Sequence, residues 1–251
     1  MAQQWNAERY ACEAGFVATL GEPLIDLLAP RSNEQILDLG CGDGALTEKL
    51  LSHGCKVIGV DSSREQVTAA VDRGIDAYVV DGHELKFDNE FDGVISNAAL
   101  HWMKHPDAVL AGVSRALVTD GRFVGEFGGA GNVARIVTGI EAILIARGID
   151  PETVNPWYFP GSDEYAQRLQ AHSFEIMSLE HFPRPTPLQV DISAWLEIFT
   201  LSFFNTFDND ERTTLLTELR EDLRGDLCDA NGNWEVDYVR LRFSAIKRAH
   251  L

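Results

Sequence analysis

The sequence contains no long hydrophobic run. Within its 251 residues there is no uninterrupted apolar stretch of the ~18 residues that a membrane-spanning helix needs. Segment 1–10 also lacks the basic region followed by an apolar region that marks a secretory signal. These two absences predict a soluble, cytoplasmic protein.

Cysteines are few, and their spacing is irregular. The four cysteines, Cys12, Cys41, Cys55 and Cys228, form no Cys-x-x-Cys pair and have no histidine-rich cluster beside them. A zinc site or a redox-active pair is therefore not expected. We interpret the four side chains as reduced thiols and expect no bound metal.

Basic residues are scarce relative to acidic ones. The chain has 21 Lys and Arg against 39 Asp and Glu, a formal net charge of −18. Such an excess repels phosphate backbones and anionic lipid surfaces, so nucleic acids and membranes are not expected partners. The content of 45% hydrophobic and 24% charged residues is ordinary for a globular protein, and the length suits one large domain.

The first half of the chain alternates short apolar segments with amphipathic ones. The predicted strands are 35–39, 56–60, 77–80, 91–95 and 122–127. Helical patterns follow most of them, with Leu46 and Leu50 on one face after the first strand and Val67 and Ala70 after the second. Strands that alternate with helices in this way are typical of an open parallel sheet with helices on both faces.

The second half of the chain has a different pattern. Prolines and aromatic residues cluster at 155–160 and 181–187, which predicts loops. Segment 165–172 is a predicted helix, 174–182 is a predicted strand, and 192–224 contains two helical patterns.

The last clear element, segment 237–245, has the period of a strand. Leu241 and Phe243 fall on one face, and Arg240 and Arg242 fall on the other. We expect this strand to close the sheet, with both arginines facing solvent or pairing with the acidic surface.

A glycine-rich turn joins the first predicted strand to the helix after it. Its sequence is Asp38-Leu-Gly40-Cys-Gly42-Asp-Gly. Glycines in this place let the backbone approach a ligand, and the N–H groups of the helix point towards it, so we expect a nucleotide-like ligand. Gly40-x-Gly42-x-x-Ala45 also fits a dinucleotide fingerprint with Asp61 as its ribose-binding acid, so an NAD-dependent oxidoreductase is an alternative.

Two acidic residues favour a cationic ligand with an adenine group over NAD. Asp38 lies two residues before the first glycine. A carboxylate there would repel a pyrophosphate but attract an ammonium or sulfonium cation. Asp81 ends the third predicted strand, at the sheet edge where ligands bind, and can accept from an adenine amino group.

These motifs resemble those of the class I S-adenosylmethionine-dependent methyltransferases. The matching parts are segment 36–44 (Ile-Leu-Asp-Leu-Gly-Cys-Gly-Asp-Gly), the strand-end acids Asp61 and Asp81, and segment 91–102. Segments 5–10 and 97–102 are similar to those of the trans-aconitate methyltransferase group and of the biotin-pathway malonyl carboxyl methyltransferase. The resemblance is strong over 5–127 and weaker beyond it, so it does not identify the methyl acceptor.

The resemblance implies that the cofactor is S-adenosylmethionine. The cofactor-binding residues that it implies are Trp5, Tyr10, Asp38, Gly40, Cys41, Gly42, Asp61, Ser62, Gln66, Asp81, Gly82, His83 and Asn97. In the family pattern the glycine turn lines the methionine part, Asp61 holds the ribose hydroxyls, and Asp81 with Gly82 meets the adenine. Asn97 is expected beside the methyl donor. Gln66 departs from the pattern, because relatives often have a Met near the adenine.

Three positions have two interpretations each. Trp5 and Tyr10 either close over the methionine part of the cofactor or anchor an N-terminal helix in the core. His101 follows the fourth predicted strand and is either a general base or a structural histidine bonded to the backbone. No base is required when the nucleophile is already ionised, since methyl transfer is an in-line displacement that depends largely on orientation.

The second half of the chain supplies most of the candidate substrate-binding residues. The candidates are Trp102, Trp157, Tyr158, Arg184 and Trp195. The aromatic side chains are either simple packing or the roof of a pocket. Arg184 lies between two prolines and is the candidate for binding a substrate carboxylate.

The predicted fold class is α/β, a doubly wound, seven-stranded, mostly parallel Rossmann-like sheet with a helical cap. We expect one domain over 1–251. Its parts are an N-terminal helical cap at 1–30, a cofactor-binding core at 31–150, substrate-side loops, a core strand and cap helices at 151–235, and a closing strand at 236–251.

The predicted activity is methyl transfer to a small-molecule acceptor. Transfer to a carboxylate or hydroxyl oxygen is preferred, because the enzymes that this chain resembles do that. A non-catalytic protein that has kept the cofactor fold is a further alternative. We expect a monomer or a homodimer.

Overall fold

The computed structural model describes residues 16–249, and it describes side chains from residue 19 onward. The predictions for Trp5 and Tyr10 lie outside the described residues. Cys41, Cys55 and Cys228 are free thiols in the part of the chain that is described. No helix in this part is long and apolar enough to cross a membrane.

Nine strands are described within residues 16–249. Their bounds are β1 Gln35–Leu39, β2 Lys56–Asp61, β3 Ala77–Val79, β4 Phe91–Asn97, β5 Leu117–Gly128, β6 Phe174–Pro183, β7 Thr186–Pro187, β8 Glu235–Val236 and β9 Val239–Lys247. Seven of them form one sheet in the order β3-β2-β1-β4-β5-β9-β6, and β7 pairs with β8 separately. The first five strands of this order are parallel, whereas β9 runs antiparallel to both β5 and β6.

The predicted seven-stranded, mostly parallel sheet is therefore confirmed. The last strand completes this sheet from within, because β9 lies between β5 and β6, and β6 forms the edge. Leu241 and Phe243 are fully buried on one face of β9, as the strand period predicted. The division of the chain into cap, core and substrate side stays a prediction.

Helices cover the sheet. Their bounds are α1 Phe16–Leu28, α2 Ala45–Leu51, α3 Arg64–Asp72, α4 Pro106–Ala116, α5 Ala134–Ala146, α6 Ser162–Ala171, α7 Ile192–Phe199 and α8 Asn209–Leu227. Local sequence explains several starts: the Ser63 hydroxyl accepts the Gln66 N–H at α3, and Asp208 with Glu211 forms a capping box at α8.

The buried apolar residues form several clusters. The largest sheet cluster includes Val94, Phe123 and Phe243 and is covered in part by α4 and α6. A second cluster joins α5, α7 and α8, with Ile140 and Leu219 fully buried in it. This second cluster supports the aromatic residues that come from the substrate side of the chain.

The strand order fixes where a ligand can bind. The chain runs outward from β1 through β2 to β3 and then returns to β4 on the other side of β1. At such a reversal the loops leave neighbouring strands in opposite directions, and a crevice opens at the carboxyl ends of the strands.

Candidate cofactor and acceptor site

A cavity of about 450 Å³ lies at this reversal of strand order. The predicted site residues that line it are Gly40, Gly42, Asp61, Ser62, Gln66, Asp81, Gly82, His83, Asn97, His101, Trp102, Trp157 and Trp195. The structure therefore brings most of the predicted residues together, although they are spread over the chain.

The glycine turn forms one wall of the cavity. Gly40 has a φ of +77°, and a Cβ there would lie 2.2 Å from the Cβ of Ala99. Gly42 has a φ of +55°, in the left-handed region that L side chains avoid. Both positions therefore require glycine, which brings the backbone itself to the cavity surface.

Asp61 is anchored to this turn. Its Oδ2 accepts the N–H of Gly42 at 3.1 Å, and its Oδ1 accepts the N–H of Ser63 at 2.8 Å. Burial raises the pKa of Asp61, although these backbone hydrogen bonds oppose the shift. Each carboxylate oxygen keeps a further lone pair, so Asp61 can still accept from two vicinal hydroxyl groups.

Two predicted cofactor-binding side chains lie behind the cavity wall instead of in it. Asp38 is buried and accepts from the Thr47 hydroxyl at 2.6 Å, and burial raises its pKa to about 7. The Cys41 thiol is also buried and lies 3.6 Å from the carbonyl oxygen of Gly42, and burial raises its pKa above its usual range. Both side chains are buried, and neither is among the described residues that line the cavity.

Asp81 and His83 form a pair at the end of β3. The Oδ1 of Asp81 accepts from the backbone N–H of His83 at 2.9 Å and lies 2.6 Å from its Nδ1. Burial disfavours the charged form of Asp81, but the hydrogen bonds from His83 outweigh it and hold the pKa below its usual value. The ionised carboxylate can accept from an exocyclic amino group.

Gln66 provides a test of whether an adenosyl cofactor fits. The residue is 3% exposed and lines the cavity, and its Oε1 has no hydrogen-bond partner within the described chain. A buried acceptor without a donor is costly, so this atom is suited to a donor from a ligand. Together with the carboxylates of Asp61 and Asp81 and the open backbone at Gly42, it fits a ligand with hydroxyl and amino donors.

Aromatic side chains line the part of the cavity beyond Asn97, which we call the acceptor end. Its residues are His101, Trp102, Trp157, Phe159, Trp195, Phe199, Tyr238 and Arg240. The ring centroids of Trp157 and Phe159 are 5.4 Å apart, and the Trp195 indole N–H donates to the Tyr238 hydroxyl at 2.5 Å. These contacts hold the rings in fixed positions.

Tyr158 does not belong to this lining, contrary to the prediction. Its hydroxyl donates to Glu164 at 2.8 Å, and its ring lies beside the Arg168 guanidinium. The chain alternates direction through 157–159, so Trp157 and Phe159 face the cavity and Tyr158 faces α6.

Arg184 is not among the described residues that line the cavity, so the structure does not support the substrate-binding role predicted for it. Its Nη2 is 2.6 Å from the Oε1 of Glu126, and Arg242 contacts the Oε2 of the same carboxylate at 2.6 Å. Glu126 is 1% exposed, so Arg184 and Arg242 neutralise a buried carboxylate.

Arg240 is the arginine that lines the cavity. It was expected at the surface, but it is only 4% exposed, and its guanidinium lies 4.2 Å from the centroid of the Tyr238 ring. Arg240 is paired in register with Gly128, which has no side chain to fill the space beside it. The alternating sequence pattern of a strand does not predict that Arg240 is buried at a cavity.

The imidazole of His101 is buried at the cavity and contacts the backbone. Its Nδ1 accepts the backbone N–H of Gly128 at 3.4 Å. A neutral imidazole then carries its proton on Nε2. Burial and the nearby Arg240 hold the pKa of His101 well below its usual value, so the ring is neutral. The general-base role of His101 stays a prediction, which a proton on Nε2 would contradict.

Comparisons with known proteins agree with the site. Residues 37–125 match the family model described as a methyltransferase domain. An uncharacterized methyltransferase of Schizosaccharomyces pombe is 39% identical over 97% of this chain and 98% of its own length. The trans-aconitate 2-methyltransferase of Mycolicibacterium gilvum is 43% identical over 120 residues, which are 45% of this chain and 46% of that enzyme.

The fold has solved counterparts. The structure of Haemonchus contortus phosphoethanolamine N-methyltransferase 2, determined with phosphomonomethylethanolamine and S-adenosylhomocysteine, superposes with a TM-score of 0.59 at 18% identity. The match covers 92% of this chain and 53% of that one, and it is a likeness of fold. Family membership also removes the NAD-dependent alternative. From the match to the methyltransferase domain and the full-length relative, we conclude that this chain belongs to the class I S-adenosylmethionine-dependent methyltransferases.

Proposed function

We propose that this methyltransferase transfers a methyl group to an oxygen atom, of a carboxylate or a hydroxyl group, in a small-molecule acceptor. The distribution of charge in the cavity carries this proposal. The acidic residues of the described lining lie at the cofactor end, where Asp61 ends β2 and Asp81 follows β3. Among the described residues that line the acceptor end, none is an Asp or Glu that could hold a cationic amine, so this end favours an oxygen acceptor.

The strand order keeps the two ends of the cavity apart. From β2 to β9 there are four strand positions, a separation of roughly 19 Å in a sheet. The cofactor end supplies acceptors for hydroxyl, amino and cationic groups, and the acceptor end supplies aromatic surface and the donors of His101 and Arg240. The cavity can therefore hold two ligands, one that offers hydrogen-bond donors to the cofactor end and one that offers acceptors to the acceptor end.

Asp61, Asp81 and Gln66 would hold the nucleoside part of S-adenosylmethionine, and Asn97 would lie beside its reactive group. When bound, this cofactor supplies a methyl group on a cationic sulfur, so that a lone pair of the acceptor oxygen forms the C–O bond while the C–S electron pair stays on sulfur. The protein's part is to exclude water with its aromatic walls and to orient the acceptor.

The partial relative supports an oxygen acceptor. That enzyme, whose name gives a carboxylic acid as its acceptor, matches 45% of this chain. The acceptor end comes mostly from residues 157–240. We therefore propose the oxygen chemistry and not that enzyme's acceptor.

The test uses purified protein, S-adenosylmethionine and three pools of small carboxylic acids, phenols and amines, with mass spectrometry to find products that have gained a methyl group. We expect products only from the acid and phenol pools and none with Asp61→Ala. Methylated amines without any methylated oxygen compound would refute the proposal.

A further inference from the structure

We propose that the acceptor carries a carbonyl or carboxylate group, which accepts hydrogen bonds from the side-chain amide of Asn132 and the hydroxyl group of Tyr238. This inference rests on the proposed function, because it names the acceptor class of the same site. It goes further by giving both residues a role in orienting the acceptor. It also excludes acceptors whose only polar groups are hydroxyl or amino groups.

The side-chain amide of Asn132 is held in one orientation. Asn132 is 4% exposed, lies between β5 and α5, and lines the cavity. Its Oδ1 accepts the backbone N–H of Val239 at 3.0 Å, so the oxygen and the nitrogen of the amide cannot be exchanged. Its Nδ2 donates to no residue in the described part of the chain, which leaves two N–H donors for a ligand.

This amide lies beside the acceptor end. A Cβ at Gly128 would be 2.6 Å from the Nδ2 of Asn132 and 2.6 Å from the Cε1 of Phe159. The amide and the ring therefore pack over the same glycine, which has no side chain to keep them apart. The backbone N–H of Gly128 also lies 3.4 Å from the Nδ1 of His101. The Asn132 donors thus lie next to two rings of the acceptor end.

The loop that carries Asn132 is anchored on both sides of this residue. The backbone N–H of Ala130 donates to the carbonyl oxygen of Pro160 at 2.9 Å. The backbone N–H of Val133 donates to the carbonyl oxygen of Asp237 at 3.1 Å. These bonds hold the Asn132 donors in place before the acceptor binds, which lowers the entropy cost of binding.

Tyr238 supplies a second donor at the acceptor end. It is 5% exposed and lines the cavity. Its hydroxyl oxygen accepts the Trp195 indole N–H at 2.5 Å, so its own hydrogen needs a separate acceptor, and none of the residues that the structure describes supplies one. A buried hydroxyl hydrogen without an acceptor is costly, so an acceptor atom of a ligand is favoured here as well.

The hydrogen-bond acceptors beside these donors are already occupied. The Oδ1 of Asn132, the Nδ1 of His101 and the hydroxyl oxygen of Tyr238 each accept an N–H of this chain. A carbonyl or carboxylate oxygen can accept two hydrogen bonds and carries no hydrogen of its own. An alcohol or an ammonium group would bring hydrogens that compete with these N–H groups, and burying such hydrogens unpaired is costly.

The surface around the two donors is aromatic. Trp157, Phe159 and Trp195 line the cavity there. A flat apolar body would replace water on these rings. The lining therefore favours aromatic or unsaturated compounds that carry an acid, ester or ketone group.

The experiment compares four compounds that share one flat body. Protein saturated with S-adenosylhomocysteine is titrated by calorimetry with cinnamate, methyl cinnamate, cinnamyl alcohol and cinnamylamine. We expect cinnamate or methyl cinnamate to bind, and the alcohol and the amine to bind roughly tenfold or more weakly than the better of the two. Tighter binding of cinnamate identifies the group as a carboxylate, and tighter binding of the ester identifies it as a neutral carbonyl. If neither binds, or if the alcohol or the amine binds as tightly, the proposal is overturned.

The substitution Asn132→Asp then tests the amide. It replaces the Nδ2 donor by an oxygen and keeps an oxygen for the N–H of Val239. The better of the two carbonyl compounds should bind roughly tenfold or more weakly, whereas cinnamylamine should lose no affinity. Unchanged affinity for S-adenosylhomocysteine shows that the fold is intact. Binding of the carbonyl compound as in the wild type would overturn the proposal.

Two further variants complete this test. Asn155→Asp is the matched control, since the Oδ1 of Asn155 accepts the N–H of Trp157 at 2.9 Å and Asn155 is not among the described residues that line the cavity. It should bind all four compounds as the wild type does. Tyr238→Phe removes only the hydroxyl group and decides the matter if Asn132→Asp no longer binds S-adenosylhomocysteine. It should weaken the better carbonyl compound several-fold, and an unchanged affinity would overturn the proposal.

The outcome separates this inference from the proposed function. If oxygen compounds are methylated and Asn132→Asp methylates them with the KM of the wild type, the role of Asn132 is wrong while transfer to oxygen stands. If only amines are methylated, transfer to oxygen itself fails.

Discussion

The carboxylate of Asp61 and the backbone N–H of Gly42 are joined by a hydrogen bond of 3.1 Å. The bond ties the end of β2 to the glycine turn after β1, across two neighbouring parallel strands. The acid that is expected to hold the ribose therefore also shapes the loop beside it, and a change at Asp61 acts on both.

Asp61→Ala should weaken binding of S-adenosylmethionine about a hundredfold or more, since hydrogen bonds to charged groups contribute roughly 1.5–3 kcal/mol each. Calorimetric titration with S-adenosylmethionine, S-adenosylhomocysteine and NADH measures this, and NADH should give no signal with the wild type. Glu65→Ala removes a neighbouring exposed charge and should bind as the wild type does. An unchanged affinity in Asp61→Ala would remove the residue from the site.

Gln66→Leu should have effects of opposite sign on the free and the bound protein. Removing the unpartnered Oε1 should stabilise the free protein by about 1 kcal/mol. The loss of this acceptor should also weaken the binding of S-adenosylhomocysteine. Thermal unfolding with and without the ligand shows both effects. If the ligand raises the Tm of Gln66→Leu as much as that of the wild type, the Oε1 does not contact the cofactor.

Glu126→Gln should destabilise the protein by roughly 3–5 kcal/mol, because Arg184 and Arg242 would be left around a buried neutral amide. Urea unfolding measures the change. Glu175→Gln is the control, since Glu175 pairs with Arg248 at the surface, and its loss should cost much less. Equal effects of the two substitutions would mean that the buried ion pairs of Glu126 contribute no more to stability than a surface ion pair does.

Asp38 should make stability depend on pH. Its folded pKa of about 7 lies above the value of 3.8 for an unperturbed Asp, so the folded state binds a proton more tightly than the unfolded state. The stabilising contribution is complete below pH 3.8 and is lost as pH rises through about 7. The free energy of unfolding of the wild type should therefore fall relative to that of Asp38→Asn over this range. Urea unfolding curves whose difference does not vary with pH would contradict this.

His101 should remain neutral through the physiological range. With its pKa held well below 6.5, the imidazole should show one protonated nitrogen, Nε2, in nitrogen-15 NMR spectra recorded from roughly pH 6 to 8. Methylation of a carboxylic acid should then show no loss of rate between these values. A titration of His101 in this range, or a proton on Nδ1, would support the general-base interpretation.

The cofactor end could be predicted from sequence because its signals are local. Glycines at positive φ, acids at strand ends and a Ser cap at α3 are each decided by the few residues around them. Gly40 illustrates this, because its φ of +77° is a property of the turn itself and favours glycine.

The acceptor end depended on the tertiary structure. The sequence determined that segment 237–245 alternates between two faces, but it did not determine that β9 lies between β5 and β6. That placement gives β9 a partner strand on each edge, and in the folded chain Arg240 lines the cavity while Arg184 and Arg242 neutralise Glu126. The physical reason is that an arginine's role depends on which charges and surfaces surround it, and those come from strands and loops far apart in sequence.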